Sequence, residues 1–252
     1  MRLSRRDLLV ATGLAAASRA LATDATSPEN STPPAAEPAN YLRELCAAMK
    51  LQWPRNRAIH VVCHGHSVPA GYFKTPVVDT FNAYPHLLHV GIKKRFPFAV
   101  VNVIVTAIGG ESSPSGARRF QRDVLTHRPD VVTIDYSLND RGVGLQHAEK
   151  AWSAMIDKAL QRKIKVILMT PTSDLSQLPK ASKAQREPLQ QHAEQVRRLA
   201  KRHGVGLADS LAAFEAYQAK GGKLRDLLSQ SNHPNRKGHN LAAAELLKWF
   251  GA

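Results

Sequence analysis

Four short segments of the chain hold the side chains that could do chemistry. They are His64–Ser67 (HGHS), Ala107–Ser112 (AIGGES), Ser137–Asp140 (SLND) and Ser231–Asn235 (SNHPN). The first three directly follow apolar runs, and the last lies shortly before the final predicted helix. A serine hydroxyl becomes a nucleophile when a neighbouring base takes its proton, and histidine is a common base. Ser67 and His233 are therefore the candidate nucleophile and base.

A serine that attacks an acyl carbonyl also needs donors for the negative charge that develops on the carbonyl oxygen. The backbone N–H groups of Ser67 and Gly110 and the side-chain amide of Asn139 would supply three such donors. Glycine at position 110 would let the backbone approach a substrate closely, since it has no side chain. The segments together predict acyl transfer through a covalent serine intermediate.

The pair His64 and His66, spaced as His-x-His, offers a competing interpretation as metal ligands. This spacing after a first strand resembles that of metal-dependent amidohydrolases, which are built on barrels of about 250 residues. Those enzymes need further ligands after later strands, and no later predicted strand ends in a histidine. The two cysteines, Cys46 and Cys63, form no Cys-x-x-Cys pair. We therefore expect no metal and no other cofactor, with His64 in the core or beside the site.

Gly65 and Ser67 also come close to the Gly-x-Ser-x-Gly elbow of α/β-hydrolases. However, Pro69 stands where that elbow has its last glycine, and the serine follows the first strand of the chain. We therefore expect a different fold.

Alternating strand-like and helix-like stretches must position these segments. The predicted strands are Ala58–Cys63, Val100–Thr106, Val131–Tyr136, Val166–Thr170 and Gly206–Ala208, and the predicted helices are 75–96, 115–126, 145–163, 183–203 and 236–250. Short β-branched strands that alternate with helices indicate a parallel sheet covered on both faces. Ligands of such sheets bind beyond the carboxyl ends of the strands, so the four segments can converge on one crevice.

In this order and placement the segments resemble the SGNH hydrolases, also called GDSL esterases and lipases. That family has its nucleophile in Gly-Asp-Ser, an oxyanion-hole Gly after the second strand, an oxyanion-hole Asn in Gly-x-Asn-Asp, and its His in Asp-x-x-His. The resemblance spans about Ala58 to Gly238. It implies the nucleophile at Ser67, the oxyanion donors at Gly110 and Asn139, and the base at His233.

Three positions depart from the family pattern: His66 and Gln230 replace its aspartates, and Ser137 replaces its glycine. The change at Gln230 matters most, because the carboxylate of a triad fixes the imidazole tautomer and stabilises imidazolium. Two arrangements stay open. One is a Ser–His dyad oriented by a backbone carbonyl, and the other is a variant triad in which Gln230 or Asp226 orients the histidine. A catalytically weak relative that binds polyanions is a further alternative.

Two more residues have expected roles at the site. His66 would shape the acyl pocket, contact the substrate or support the residues around it. Arg141, next to the Asn-Asp pair, would meet an anionic group of the substrate.

The N-terminal residues indicate export. Residues 1–22 have a basic start, a short apolar centre and a small-residue cleavage site, and Arg5-Arg6 resembles a twin-arginine signal. Residues 23–40 are rich in Pro, Ser and Ala, as expected of a linker, so that the hydrolase domain would occupy 41–252. No apolar run reaches the roughly 18 residues that a membrane span needs. The predicted location is the periplasm.

The sequence thus predicts a three-layer, flavodoxin-like α/β sandwich of about five parallel strands with helices on both faces. Its expected activity is that of a monomeric serine esterase that hydrolyses O-acyl esters, above all acetyl esters, on a carbohydrate. A lipase or thioesterase of the same family is the alternative substrate class. The formal net charge is +15, but the basic residues are scattered along helices, so no nucleic-acid partner is expected.

Overall fold

A five-stranded parallel sheet forms the centre of the computed structural model, which describes residues 34–251. The strands are β1 (Ala58–Gly65), β2 (Val100–Val105), β3 (Val131–Asp135), β4 (Lys165–Met169) and β5 (Gly206–Ala208). They lie in the order β2-β1-β3-β4-β5, and each adjacent pair is parallel. All five match the predicted strands to within two residues at either end, because β-branched runs of this length suit a doubly buried sheet.

Helices cover both faces of the sheet. They are α1 (Pro38–Tyr41), α2 (Arg43–Met49), α3 (Ser67–Ala70), α4 (Tyr84–Arg95), α5 (Ser113–Asp123), α6 (Ser137–Asp140), α7 (Leu145–Leu160), α8 (Lys183–His203), α9 (Ser210–Ala219) and α10 (Arg236–Leu247). One core cluster joins the sheet to α2, α4 and α10, and the other joins it to α5 and α7, with α8 contributing to both. The three-layer α/β prediction is confirmed.

The predicted helix over 75–96 was wrong in its first part. Residues 75–83 form a loop with one short 3₁₀ turn at Thr80–Asn82, and α4 starts only at Tyr84. Proline is tolerated in the first turn of a helix but breaks an interior, which is why Pro85 lies at the start of α4 and Pro76 in the loop. The carbonyl of Phe73, which matters at the site, lies just before this loop.

Ordered packing begins slightly before the predicted domain start at Tyr41. Helix α1 begins at Pro38, and the partly buried Ala36 packs against the core. The predicted signal sequence and residues 23–33 of the predicted linker lie outside the described residues. Within the described part of the chain, no helix combines the length and apolarity required to cross a membrane. Cys46 and Cys63 are buried as separate thiols.

Gly65 at the end of β1 sets the position of the nucleophile segment. A side-chain carbon at this position would lie 2.4 Å from the carbonyl oxygen of Asp135 on β3, so only glycine fits. The next residue, His66, donates its N–H to that same carbonyl oxygen at 3.2 Å. The chain then turns directly into α3, so Ser67 stands at the carboxyl edge of the sheet.

Candidate active site

Ser67 and His233 are 166 residues apart in the chain but form a hydrogen-bonded pair. The distance from Ser67 Oγ to His233 Nε2 is 3.0 Å, and both residues are buried. On the other side of the ring, Nδ1 lies 2.8 Å from the backbone carbonyl oxygen of Phe73. A carbonyl can only accept, so Nδ1 carries the proton and Nε2 presents its lone pair to the serine.

Of the two arrangements left open by the sequence, the one in which Gln230 or Asp226 orients the imidazole is not seen, because neither side chain reaches it. Gln230 Oε1 accepts a hydrogen bond from the N–H of Thr75 at 2.8 Å. The Asp226 carboxylate accepts from the Tyr217 hydroxyl and from its own turn. Among residues 34–251 neither side chain bonds to His233. In this geometry the carbonyl of Phe73 takes the orienting position.

Packing around the Phe73 carbonyl holds it in place. The Phe73 ring stacks on the buried imidazole of His239 with centroids 5.0 Å apart. His239 Nδ1 in turn accepts the first N–H of α4, from Tyr84, at 3.2 Å. Burial lowers the pKa of His239 to about 3, so that ring stays neutral and serves as packing and as an acceptor.

Burial also lowers the pKa of His233 below the ordinary histidine value of 6.5. The hydrogen bond to Phe73 raises that pKa, and the neighbouring His66 lowers it. The net direction favours the neutral ring, which is the form that can accept a proton from serine.

The three groups predicted as oxyanion donors keep hydrogens that are not fully used by the protein. Within the described residues, the backbone N–H groups of Ser67 and Gly110 make no hydrogen bond to the protein. Asn139 Nδ2 donates to the carbonyl oxygen of Glu111 at 2.9 Å, which orients the amide and leaves its second hydrogen available. Gly110 has φ +76° and open space around its Cβ position, so its left-handed backbone, rather than a close contact, requires glycine.

A buried polar network that the sequence did not reveal anchors the loop between β2 and α5. Arg119 on α5 forms a bidentate pair with the Glu111 carboxylate, and Tyr136 donates to the same carboxylate at 3.0 Å. His64 Nε2 lies 3.0 Å from the Tyr136 hydroxyl, and its Nδ1 lies 2.9 Å from Thr106 Oγ1. Burial lowers the pKa of His64 to about 4. His64 therefore supports the oxyanion loop from within the core.

His66 has a separate set of partners, so the His-x-His pair does not converge on one point. Its Nδ1 lies 3.3 Å from the Val68 N–H and 3.4 Å from Ser67 Oγ, and its Nε2 lies 3.3 Å from Asp135 Oδ1. Within 34–251 no three His, Cys, Asp or Glu side chains are grouped as metal ligands. His66 is only 1% exposed, so it contacts the nucleophile rather than lining an open acyl pocket.

Arg141 is engaged with the protein rather than free for a substrate. Its guanidinium pairs with Asp174 at 2.7 Å and donates to the carbonyl of Leu138 at 2.9 Å. The neighbouring Asp140 is fully buried and accepts from the Ser113 N–H and the Trp152 indole at 2.8 and 2.7 Å. Both side chains hold the segment that carries Asn139.

A comparison with known families places the serine and imidazole pair in context. The sequence model of the GDSL-like Lipase/Acylhydrolase family matches residues 63–241, which is most of the described chain. The protein belongs to this GDSL-like family. It is accordingly a serine hydrolase of carboxylic esters. No curated protein matches the chain significantly.

Several solved structures share the fold. An acetylxylan esterase from Geobacillus stearothermophilus is 21% identical with a TM-score of 0.66, over 77% of this chain and 94% of that one. An α/β hydrolase enzyme from the metagenome of Lake Arreo, Spain, is 22% identical with a TM-score of 0.66, over 80% and 97%. A G-D-S-L family protein described as lipolytic, from Desulfitobacterium hafniense, is 24% identical with a TM-score of 0.60, over 74% and 97%. At these identities the likeness establishes the common fold.

Proposed function

We propose that this GDSL-like esterase hydrolyses O-acyl esters, above all acetyl esters, on a carbohydrate, with Ser67 as nucleophile and His233 as base. The observation that carries the proposal is the 3.0 Å hydrogen bond from Ser67 Oγ to an imidazole nitrogen whose tautomer is held by the Phe73 carbonyl. A base within hydrogen-bond reach and oriented by a third group is what activates a serine.

The reaction has two steps. In the first, the Ser67 oxygen bonds to the acyl carbon while His233 Nε2 takes its proton, and the resulting imidazolium protonates the departing alcohol. In the second, His233 takes a proton from water as the water oxygen attacks the acyl-enzyme, and that proton returns to Ser67 as the acid leaves. Ser67 N–H, Gly110 N–H and the Asn139 amide would stabilise the oxyanion in both steps.

Because a backbone carbonyl, that of Phe73, orients His233 in place of a carboxylate, the proposed catalytic pair is a Ser–His dyad. The Phe73 carbonyl selects the tautomer as a carboxylate would, but it has only a partial charge to offer the imidazolium. Catalysis through this dyad therefore depends more on the oxyanion donors than a full triad does.

Several observations support an acetyl ester on a carbohydrate. Ser67 is only 6% exposed, which favours a small acyl group over a long chain. Variants of the acetylxylan esterase with the same fold are described as catalytic mutants in which a serine and a histidine are replaced by alanine. The predicted twin-arginine signal would bring the enzyme to envelope or external polysaccharides.

The test compares the purified protein with Ser67→Ala on p-nitrophenyl acetate, butyrate and octanoate and on acetylated xylooligosaccharides. We expect kcat/KM to be highest for acetyl esters and to fall by at least about 1,000-fold in Ser67→Ala. Undiminished activity in Ser67→Ala would overturn the mechanism. A preference for octanoate would favour a lipase, a preference for acyl thioesters a thioesterase, and loss of activity with a chelator a metal enzyme.

A further inference from the structure

Ser67 has a second imidazole beside it. His66 Nδ1 lies 3.4 Å from Ser67 Oγ, on the long side of a hydrogen bond, and His66 Nε2 lies 3.3 Å from the Asp135 carboxylate. The carboxylate that is missing beside His233 is therefore present beside His66. Catalytic hydrogen bonds are often loose before a substrate is bound, so 3.4 Å does not exclude proton transfer.

The partners of His66 define its tautomer. The Val68 N–H donates to Nδ1 at 3.3 Å, so Nδ1 is unprotonated and Nε2, 3.3 Å from Asp135 Oδ1, carries the ring proton. Asp135 also accepts from the Tyr84 hydroxyl at 3.3 Å. His66 and Asp135 are 1% and 3% exposed, so their interaction is little screened by water. The carboxylate of Asp135, the imidazole of His66 and the hydroxyl of Ser67 thus lie next to one another in that order.

The following step rests on Ser67 being the nucleophile of the proposed function. We propose that His66 is a second catalytic base for Ser67, with Asp135 as the carboxylate that orients it and stabilises its protonated form. His233, at 3.0 Å, is the main base, and His66 carries part of the proton transfer.

The transfer balances in the same way as the main route. A lone pair on Ser67 Oγ forms the new bond to the acyl carbon, and the π electrons of the carbonyl group move onto its oxygen, which becomes the oxyanion. The proton of the Ser67 hydroxyl goes to His66 Nδ1, and the electrons of the broken O–H bond stay on Oγ. His66 becomes an imidazolium paired with Asp135, and its Nδ1–H then returns the proton to the oxygen that leaves when the intermediate collapses. The Val68 N–H loses its hydrogen bond to Nδ1 during this step, because Nδ1 is then protonated. The ion pair that forms between the His66 imidazolium and Asp135 offsets this loss.

The family motif has aspartate at the position of His66, and the neighbourhood explains why this chain differs. A carboxylate at position 66 would lie beside the buried carboxylate of Asp135, and two such charges cannot both stay ionised at short range. Histidine at 66 pairs with Asp135 instead. The departures at 66 and at Gln230 are then linked, because the orienting carboxylate has changed from one imidazole to the other.

Several titratable groups lie near His66. They are Asp135 on β3, Asp140 on α6 and His233 before α10, and the Tyr84 hydroxyl on α4 donates to Asp135. Asp135→Asn removes the carboxylate that lies 3.3 Å from His66 Nε2, so it should change the pH–rate profile of a reaction that uses His66 as a base, which a purely structural role would not do.

The decisive experiment measures p-nitrophenyl acetate hydrolysis in the full chain carrying His233→Ala. We expect this variant to hydrolyse the ester at least about tenfold faster than Ser67→Ala, with a pH–rate profile that shows one ionisation. Adding His66→Asn should bring the rate to the Ser67→Ala level, and adding Asp135→Asn should lower the rate about tenfold and change the pH–rate profile. The asparagine at 66 keeps an acceptor for Val68 N–H but cannot take up a proton.

Tyr84→Phe in the His233→Ala background is the matched control, because it removes the other hydrogen bond to the same carboxylate. It should reduce the residual rate less than Asp135→Asn does. His66→Gln, which keeps a donor toward Asp135, serves as a second variant if His66→Asn does not fold, as judged by circular dichroism.

Two outcomes would overturn the proposal: a His233→Ala rate equal to that of Ser67→Ala, or a residual rate that is unchanged by the substitutions at His66. Labelling of Ser67 by a fluorophosphonate in the unaltered protein keeps these outcomes separate from a failure of the proposed function. If the fluorophosphonate labels Ser67 but the residual rate does not depend on His66, the Ser67–His233 dyad is supported and the role of His66 as a second base is rejected.

Discussion

At the scale of single residues, the orientation of His233 comes from a main-chain group. The Phe73 carbonyl lies 2.8 Å from Nδ1, and Phe73 itself is held by stacking on His239. Gln230, at the position of the family carboxylate, instead ties the loop at Thr75. The histidine can therefore keep one tautomer without a charged partner, and the identity of residue 230 has little direct influence on it.

Gln230→Ala should consequently cost little activity. We expect kcat/KM to fall less than about tenfold, compared with about 10,000-fold for removal of a true orienting carboxylate. Steady-state kinetics on p-nitrophenyl acetate would measure it, with Asp226→Asn as a companion that should be equally mild. A loss of 1,000-fold in either variant would mean that the side chain reaches His233 during catalysis.

The lowered pKa of His233 sets the acid limit of activity. Only the neutral ring accepts the serine proton, and burial together with His66 keeps the ring neutral to lower pH. The acid limb of kcat/KM should therefore lie below 6.5, the ordinary value for histidine. A pH–rate profile of kcat/KM checks this. An acid limb with its midpoint at or above pH 6.5 would contradict the burial of His233.

At the scale of elements, the loop from β2 to α5 carries Gly110, the proposed oxyanion donor. Its Glu111 carboxylate is bound by Arg119 of α5 and by Tyr136 after β3, while its Glu111 carbonyl orients Asn139. Gly110 lies between these anchors in a left-handed conformation. The position of the Gly110 N–H thus depends on one backbone conformation held by two neighbouring elements.

Gly110→Ala should separate this catalytic position from simple backbone strain. Alanine at φ +76° costs about 1–2 kcal/mol of stability, and the shifted N–H should lower kcat by about 10- to 100-fold. Gly221→Ala is the matched control, because Gly221 has φ +90° and equally open space but lies in the turn after α9. It should lose similar stability in urea unfolding and keep its kcat. Equal losses of kcat in both variants would argue against an oxyanion role for Gly110.

At the scale of the whole molecule, the two core clusters enclose several neutral histidines. Burial lowers the pKa of His64 and His192 to about 4 and that of His239 to about 3. In the unfolded chain these rings take up protons near pH 6.5. The folded protein therefore binds fewer protons than the unfolded chain between about pH 4 and 6.5, so its stability rises with pH through this window and is lost as pH falls.

His64 alone should contribute about 3 kcal/mol to this pH dependence, at about 1.4 kcal/mol per pKa unit. Urea unfolding at pH 7, 5 and 4 should show a steep loss of stability that His64→Gln reduces. His147→Gln is the control, because it removes an exposed histidine instead of a buried one. A slope that is the same in all three proteins would contradict the burial of a neutral His64.

The sequence by itself determined the strands and the residue types at their carboxyl ends. Ser67, Gly110, Asn139 and His233 could be selected from sequence because each lies in a short local segment after or before a recognisable element. Strands reveal themselves through β-branched runs, and a parallel sheet brings their ends to one edge. The start of α4 was missed because residues 75–83 continue its composition without forming its first turn.

Only the tertiary structure decided which groups act on these residues. A backbone carbonyl such as that of Phe73 has no signature in residue type, so its contact with His233 depends on the path of the loop. The contact between His66 and Asp135 arises because β1 lies beside β3 with Gly65 paired to Asp135, a register that local sequence does not encode. The tertiary contacts also give His64 and His66 different partners, so the apparent metal pair becomes one core residue and one neighbour of Ser67.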